Sequence, residues 1–422
     1  MVSCAAGLLL LWLLAAQASA ITDRSDVQGL IQVKAALDST SIQAGSCVST
    51  WNFSVDPCDN LFGAEHFSCG IECELNTGGT QRVTTLKLDS SGYRGTLAPA
   101  VGNLSSLQYL QVSGNAFKGA IPSSIGQLNQ LVILDISWNA FSGALPDTIG
   151  MLRSLQIMNV NDNLLSGMLP STLNSLASLL ECRLQHNFFS GLLPDLSSLQ
   201  QLKSLDLSSN SFSGGVPLRF PPMLMSASFR NNVLTGGLTE AHVEGLSTVL
   251  IVLDLSGNHL SGTVDASLFK HPSLQQLNLS NNSFTNIVNG DKDLNGSIIG
   301  SQMVAVDISN NEIGGMLPHV FARMPKLASL AMSRNAFSGQ IHVSYALKAV
   351  AGMVGLEPLQ RLMLDGNYLT GPLPALFAKL LPENIMVSFA DNCLLNCPSK
   401  FFFCRGANQK PSTLCRLFNA NV

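Results

Sequence analysis

Charge is scarce in this chain: Asp, Glu, Lys and Arg make up 12% of its 422 residues, and the net charge is −4. No basic stripe is available to neutralise phosphates, which argues against nucleic acid as a partner. Beyond residue 20 no uninterrupted apolar run approaches the roughly 20 residues of a membrane helix, so no transmembrane span is expected in the mature chain. The tail RLFNANV is not a hydrophobic anchor signal. A kinase's nucleotide loop, catalytic-loop motif and metal-binding triplet are all missing. Seven histidines are scattered without a metal-helix spacing, and no serine or cysteine lies in a nucleophile-elbow context. Asp162, Glu181 and His186 could form an acid–base group, but an open, wet face lacks the desolvation that tunes such groups. We therefore expect no enzyme: no catalytic residue, no metal and no cofactor.

What the chain does have is asparagine at a nearly fixed interval: Asn115, Asn139, Asn163, Asn187, Asn210, Asn232, Asn258, Asn282, Asn311, Asn335, Asn367 and Asn392. Ser91 holds the same place in an opening turn, giving about 13 turns, and a period of this length means a solenoid. In LDISWNAFSGALP from Leu134, Leu134 and Ile136 are spaced by two and point to one face of a short strand. Burying each is worth about 1.5–3 kcal/mol. Asn139 follows at the bend, where its amide can serve donors and acceptors of adjacent turns. Phe141 and Leu145 add apolar anchors, Gly143 permits a backbone a side chain would obstruct, and Pro146 ends the segment.

This skeleton, with GAIP from Gly119, GALP from Gly143, GMLP from Gly167, GLLP from Gly191 and GMLP from Gly315, resembles the leucine-rich repeats of the plant extracellular subclass. The resemblance runs from Val83 to Asn392. It implies an α/β solenoid, a right-handed superhelix with parallel β-strands on the concave face. Thr239, Asp265, Asn289 and His342 replace the proline, and the steps to Asn311 and Asn367 lengthen to 29 and 32 residues. The inserted NGDKDLNGSIIGSQ and VSYALKAVAGMVGLEP read as surface loops.

Residues 1–20 read as a secretory signal, with an apolar run from Ala5 to Ala16 and cleavage after Ala20. An N-terminal cap over 21–82, the repeat array over 83–392 and a Cys-rich cap over 393–422 complete the organisation. An open stack exposes core at both ends, and the cysteines lie at those ends. Cys47, Cys58, Cys69 and Cys73 precede the array, and Cys393, Cys397, Cys404 and Cys415 follow it. Two even sets in a secreted chain read as disulfides, with the pairing left open. Cys182 replaces an inward strand leucine and is expected as a buried free thiol. Ser25 and Gln28 make a capping-box spacing ahead of Val27, Leu30, Ile31, Ala35 and Leu37, predicting a short helix over the first turn. WNFSVDPC from Trp51 resembles the N-terminal cap of plant leucine-rich-repeat receptors, and LFGAEHFSCGIEC that of a kinase-less branch.

Five acceptor sequons occur, at Asn52, Asn103, Asn278, Asn281 and Asn295, and roughly half or more of them are expected to carry glycans. Asn278, between inward Leu277 and Leu279, is expected to face outward on the concave side. Serines at Ser113, Ser137, Ser208, Ser256, Ser280, Ser309 and Ser333 form a plain column there. Against it stand Asp135, Trp138, Asn159, Asn161, Asp162, Glu181, Arg183, Gln185 and His186, with Arg230 further along. Trp138, Asp162 and His186 share a column, and tryptophan and arginine are enriched at binding hot spots. We expect a secreted, extracellular or cell-wall recognition protein. Its partner is expected to be an extracellular protein or peptide or a cell-wall polysaccharide, with a membrane receptor kinase as a signalling partner. The alternatives are an inhibitor of a secreted wall-degrading enzyme, as the polygalacturonase inhibitors are, and a structural wall component.

Overall fold

A computed structural model describes residues 21–59, 70–288, 300–350, 355–380, 383 and 385–420. The signal segment, Cys69, Asn289, Asn295 and most of the first inserted segment lie outside the described residues. The chain divides into two compact units at Leu164/Leu165, where the sequence reading has one undivided array. In a stack each turn touches only its neighbours, so contacts cluster along the chain and not around one centre.

The first unit opens with an α-helix, Arg24–Ala35. Its N-cap is Asp23, whose Oδ1 accepts the Ser25 N–H at 2.8 Å, which corrects the capping box expected from Ser25 and Gln28. The carboxylate one residue ahead of the helix reaches the free amide first. The buried face is Asp26, Gly29, Leu30 and Val33, whereas Val27 and Ile31 are only half-buried and Ala35 is exposed. A fully buried Asp26 would be costly unpaired. It accepts from Arg82 Nε and Nη2, both at 2.9 Å, and from the Val83 N–H at 2.8 Å.

A hairpin of Ile71–Leu75 with Gln81–Lys87 leads into parallel strands at Tyr109–Gln111, Ile133–Asp135 and Ile157–Asn159. Leu86, Leu110, Leu134 and Met158 stand in register and are all fully buried. A second row of short strands, Arg94–Gly95, Ala116–Gly119 and Ala140–Gly143, stacks Phe117 on Phe141 with centroids 5.9 Å apart. Pro122 and Pro146 each precede a 3-10 helix, Ser123–Gln127 and Asp147–Met151. Their fixed φ suits that entry and their missing N–H costs nothing there.

In the second unit parallel strands follow from Glu181–Arg183 through Ser204–Asp206, Ser226–Ser228, Val252–Asp254, Gln276–Asn278, Ala305–Asp307, Ser329–Ala331 and Arg361–Met363 to Met386–Ser388. Cys182 points into the core as a buried free thiol, and burial pushes its pKa up to about 12. Three of the residues that replace the repeat proline serve as polar helix caps. Thr239 Oγ1 meets His242 Nδ1 at 2.8 Å ahead of Glu240–Glu244. Asp265 accepts the Ser267 N–H at 2.8 Å, and His342 Nδ1 accepts the Ser344 N–H at 3.2 Å.

His342 opens an α-helix, Val343–Val350, where a surface loop was expected. The helix carries a fully buried lysine, Lys348. Its Nζ donates to the Met324 carbonyl at 2.7 Å and the Glu357 carbonyl at 2.8 Å. Burial pulls its pKa down to about 8. Below that pH the lysine is protonated in both folded and unfolded chains. Between about 8 and the unfolded value of about 10.4, only the unfolded chain keeps the proton, so this group's contribution to stability rises with pH. Buried Cys182 and Tyr345, whose pKa values are raised, pull the other way. The expected result is therefore a difference: from pH 7.5 to 9.5 the urea midpoint of the native chain rises relative to that of Lys348→Met. Parallel pH dependences would refute the assignment.

Disulfides join Cys58 to Cys73, Cys393 to Cys415 and Cys397 to Cys404, and Cys47 is also disulfide-bonded. At the C-terminal end the helix Ser412–Ala420 stacks Phe418 on Tyr368, centroids 3.8 Å apart. Among the described residues no helix is long and apolar enough to cross a membrane.

Candidate functional site

The asparagine ladder holds the strand face in place. Asn139 Nδ2 donates to the carbonyls of Val112, Ile136 and Ser137 at 2.9–3.2 Å, and its Oδ1 accepts the Phe117 N–H at 2.9 Å. In the second unit Asn210 does the same with Leu184, Leu207, Ser208 and the Phe189 N–H. One side chain thus satisfies backbone groups that the short strands leave unpaired.

The residue before each asparagine has left-handed backbone. Trp138, Asp162 and His186 have φ of 53°, 53° and 54°, and Gly114, Gly257 and Gly366 occupy equivalent places. The column expected to lie on the strands therefore lies on the bend beyond them. A left-handed conformation is uncommon outside glycine and rare for a bulky side chain. Trp138 adopts it while 62% exposed, so the indole is not held there by burial.

The serine column is not a plain exposed surface. Ser137, Ser256 and Ser280 are buried, and the residue two before each takes its N–H. Ser137 donates N–H and Oγ–H to Asp135 Oδ1 at 3.1 and 2.6 Å. Asp206, Asp254, Asn278 and Asp307 repeat the pattern with Ser208, Ser256, Ser280 and Ser309. Asp135 thus has a turn-capping role, which its candidacy as a binding residue did not anticipate.

In the first unit Asn161 is buried, with Nδ2 donating to Asp162 Oδ2 at 2.5 Å, so its amide is not presented to solvent as expected. Asn159 is half-buried. Its Nδ2 reaches Ser137 Oγ at 3.4 Å, and its buried Oδ1 has no hydrogen-bond partner among the described residues. Two residues of this face were missed: half-exposed Tyr109 and half-buried Gln111, in register with Ile133 and Asp135. The repeat itself carried the signal, since Gln111 stands one 24-residue period before Asp135 and Tyr109 three such periods before Glu181.

In the second unit Arg183 Nη2 meets Glu181 Oε2 at 2.5 Å on an exposed stretch. Gln185 is half-buried with an Oε1 that has no hydrogen-bond partner among the described residues, and His186 and Arg230 are exposed. Further along, a shallow depression is lined by Asp254, Gln276, Asn278, Asp307, Ser329 and Arg361. Sequence reading missed it, because small residues at Ala305 and Ser329 open it. Asn278 stands there half-buried, Oδ1 accepting the Ser280 N–H. Asn52, Asn103 and Asn281 are exposed.

The model of the leucine-rich repeat region matches residues 82–347, and that of a leucine-rich repeat matches 358–380. Receptor-like protein 41 of Arabidopsis thaliana is 34% identical over 149 residues, covering 34% of this chain and 16% of that protein. Receptor-like protein 7 of the same plant is 33% identical over 179 residues, 42% of this chain and 16% of its own length. The matches thus span only a small part of these relatives. Among solved structures, the PEPR1–AtPEP1 complex superposes with a TM-score of 0.74 at 28% identity, covering 88% of this chain and 49% of that one. A plant peptide hormone receptor, RGFR1 in complex with RGF2, gives 0.58 at 25% identity, covering 71% and 50%.

Proposed function

Because the chain belongs to the leucine-rich-repeat family, we propose that it is an extracellular recognition protein whose parallel-strand face binds a protein or peptide partner stoichiometrically. The observation that carries this reading is the side-chain chemistry on that face. In the second unit Arg183 and Gln185 stand where the next turn pairs Asp206 with Ser208, Arg230 stands at the serine position of the turn after that, and Glu181 and His186 flank the first pair; arginine is a frequent hot-spot residue. The peptide complexes of PEPR1 and RGFR1 support a peptide-sized partner by analogy. Glycans on Asn278 and Asn281 would cover the depression beside them and leave the Glu181–Arg230 stretch as the open part of the second unit's face.

Affinity capture from cell-wall and apoplast extract tests this, with the secreted protein run beside Arg183→Ala and Arg230→Ala variants shown to be folded by circular dichroism. The expected result is a protein or peptide retained by the native chain and reduced at least about tenfold by the double variant, the size expected when hot-spot side chains are lost. Equal retention by both proteins would move the site off this stretch, and retention of nothing would count against a recognition role.

A further inference from the structure

The geometry points to a second binding site: the strand face of the first unit is a platform for a neutral, β-linked hexose oligosaccharide, with Trp138 as its stacking surface. This site goes beyond the protein or peptide partner proposed above and does not depend on it.

The first observation is Trp138 itself. Equivalent bends carry glycine, asparagine, serine or aspartate at most turns, residues that tolerate left-handed backbone. A tryptophan with φ 53° that is 62% exposed gains little from packing and pays a conformational penalty, which is where strain points to function. The neighbouring bend on one side is Gly114, with no side chain to cover the indole. A flat, uncovered aromatic face is what the C–H faces of a pyranose ring pack against, burying apolar area without charge.

The second observation is the row of planar polar groups beside it. Gln111, Asp135 and Asn159 stand in register on adjacent parallel strands. Parallel strands repeat at about 4.8 Å, close to the length of one hexose in a β-linked chain, so the row spans about two sugar units. Amides and carboxylates supply the paired donors and acceptors that vicinal hydroxyls require. Lys87 continues the row in register with Gln111, with Glu72 and Asp89 beside it and Asp162 on the bend next to Trp138, so together with Asp135 the anions outnumber the one cation. That charge pattern fits an uncharged saccharide and gives a polyanionic one no net attraction.

The test is a titration of the secreted full chain with cello-oligosaccharides of two to six units, and with oligogalacturonates of the same lengths, following indole emission. Trp51 is 2% exposed, so a ligand-induced change reports Trp138. The expected result is saturable binding of the neutral series, with affinity rising to two or three units and then levelling. Trp138→Asn should weaken it at least tenfold while its melting temperature does not fall, because asparagine suits the left-handed bend. Trp138→Phe should recover part of the affinity, and Gln111→Ala should lose several-fold. No saturable response to any neutral oligomer, unchanged affinity in Trp138→Asn, or binding confined to oligogalacturonate would each overturn the site. Capture of a protein partner without saccharide binding would sink this site and leave the proposed function standing.

Discussion

Arg82→Met is expected to cost the N-terminal cap about 3–5 kcal/mol, the range for removing one partner of a buried ion pair. Asp26 has no solvent-accessible surface, and its carboxylate takes two bonds from Arg82 and one from the Val83 N–H. Without the guanidinium the remaining backbone bond leaves a buried charge uncompensated. Asp26 belongs to the capping helix and Arg82 to the strand Gln81–Lys87 that joins the cap to the array, so the loss falls on the contact that closes the stack. Buried Trp51 in the same cap supplies the readout: its emission should redden at lower urea in Arg82→Met than in the native chain. The double variant Asp26→Leu with Arg82→Met should recover much of the loss, since an apolar pair needs no compensation. A single variant that unfolds at the native midpoint would show that water reaches the carboxylate and that the pair does not secure the cap.

Asn163→Ala is expected to cost a similar amount, about 3–5 kcal/mol, for a different reason. Asn163 is buried, and one amide serves four backbone groups: the carbonyls of Ile136, Val160 and Asn161 at 3.0–3.1 Å and the Phe141 N–H at 2.9 Å. Alanine leaves these groups buried without the amide, at about 1–3 kcal/mol for each that finds no new partner. Asn163→Asp should be worse, because it keeps the acceptor for Phe141 but sets a carboxylate against three carbonyl oxygens. At Asn115 the same bonds are made by a half-exposed side chain, so Asn115→Ala should cost about half as much. Chemical unfolding of the three variants checks the order Asp, then Ala at 163, then Ala at 115; equal losses would mean that water replaces the amide at every turn.

The repeat, its inward leucines, the asparagine ladder and the inward Cys182 were legible in the sequence because each is a local demand renewed every turn. A strand of three residues cannot pair its own bends, so the asparagine must recur. An inward position must be apolar wherever it occurs. The same periodicity placed Asp135 and Asn159 in register on strands of the first unit and Arg183 on a strand of the second. It could also have supplied Tyr109 and Gln111.

Other features depend on partners that no spacing names. Asp26 finds Arg82 far along the chain, and Asp23 displaces Ser25 as the helix cap through a bond two residues ahead. His342 and Lys348 turn an apparent loop into a capped helix anchored on carbonyls from two separate segments. Asp135, a candidate for a ligand, takes the N–H of Ser137 two residues on through its Oδ1. The left-handed bend of Trp138 is imposed by the ladder bonds of its neighbours, against the preference of its own side chain. The sequence by itself thus determined period and core, because those follow from composition repeated along one axis. Only the tertiary structure decided which polar groups are already satisfied and which remain for a partner, because hydrogen bonds are assigned by distance in space and not by distance along the chain.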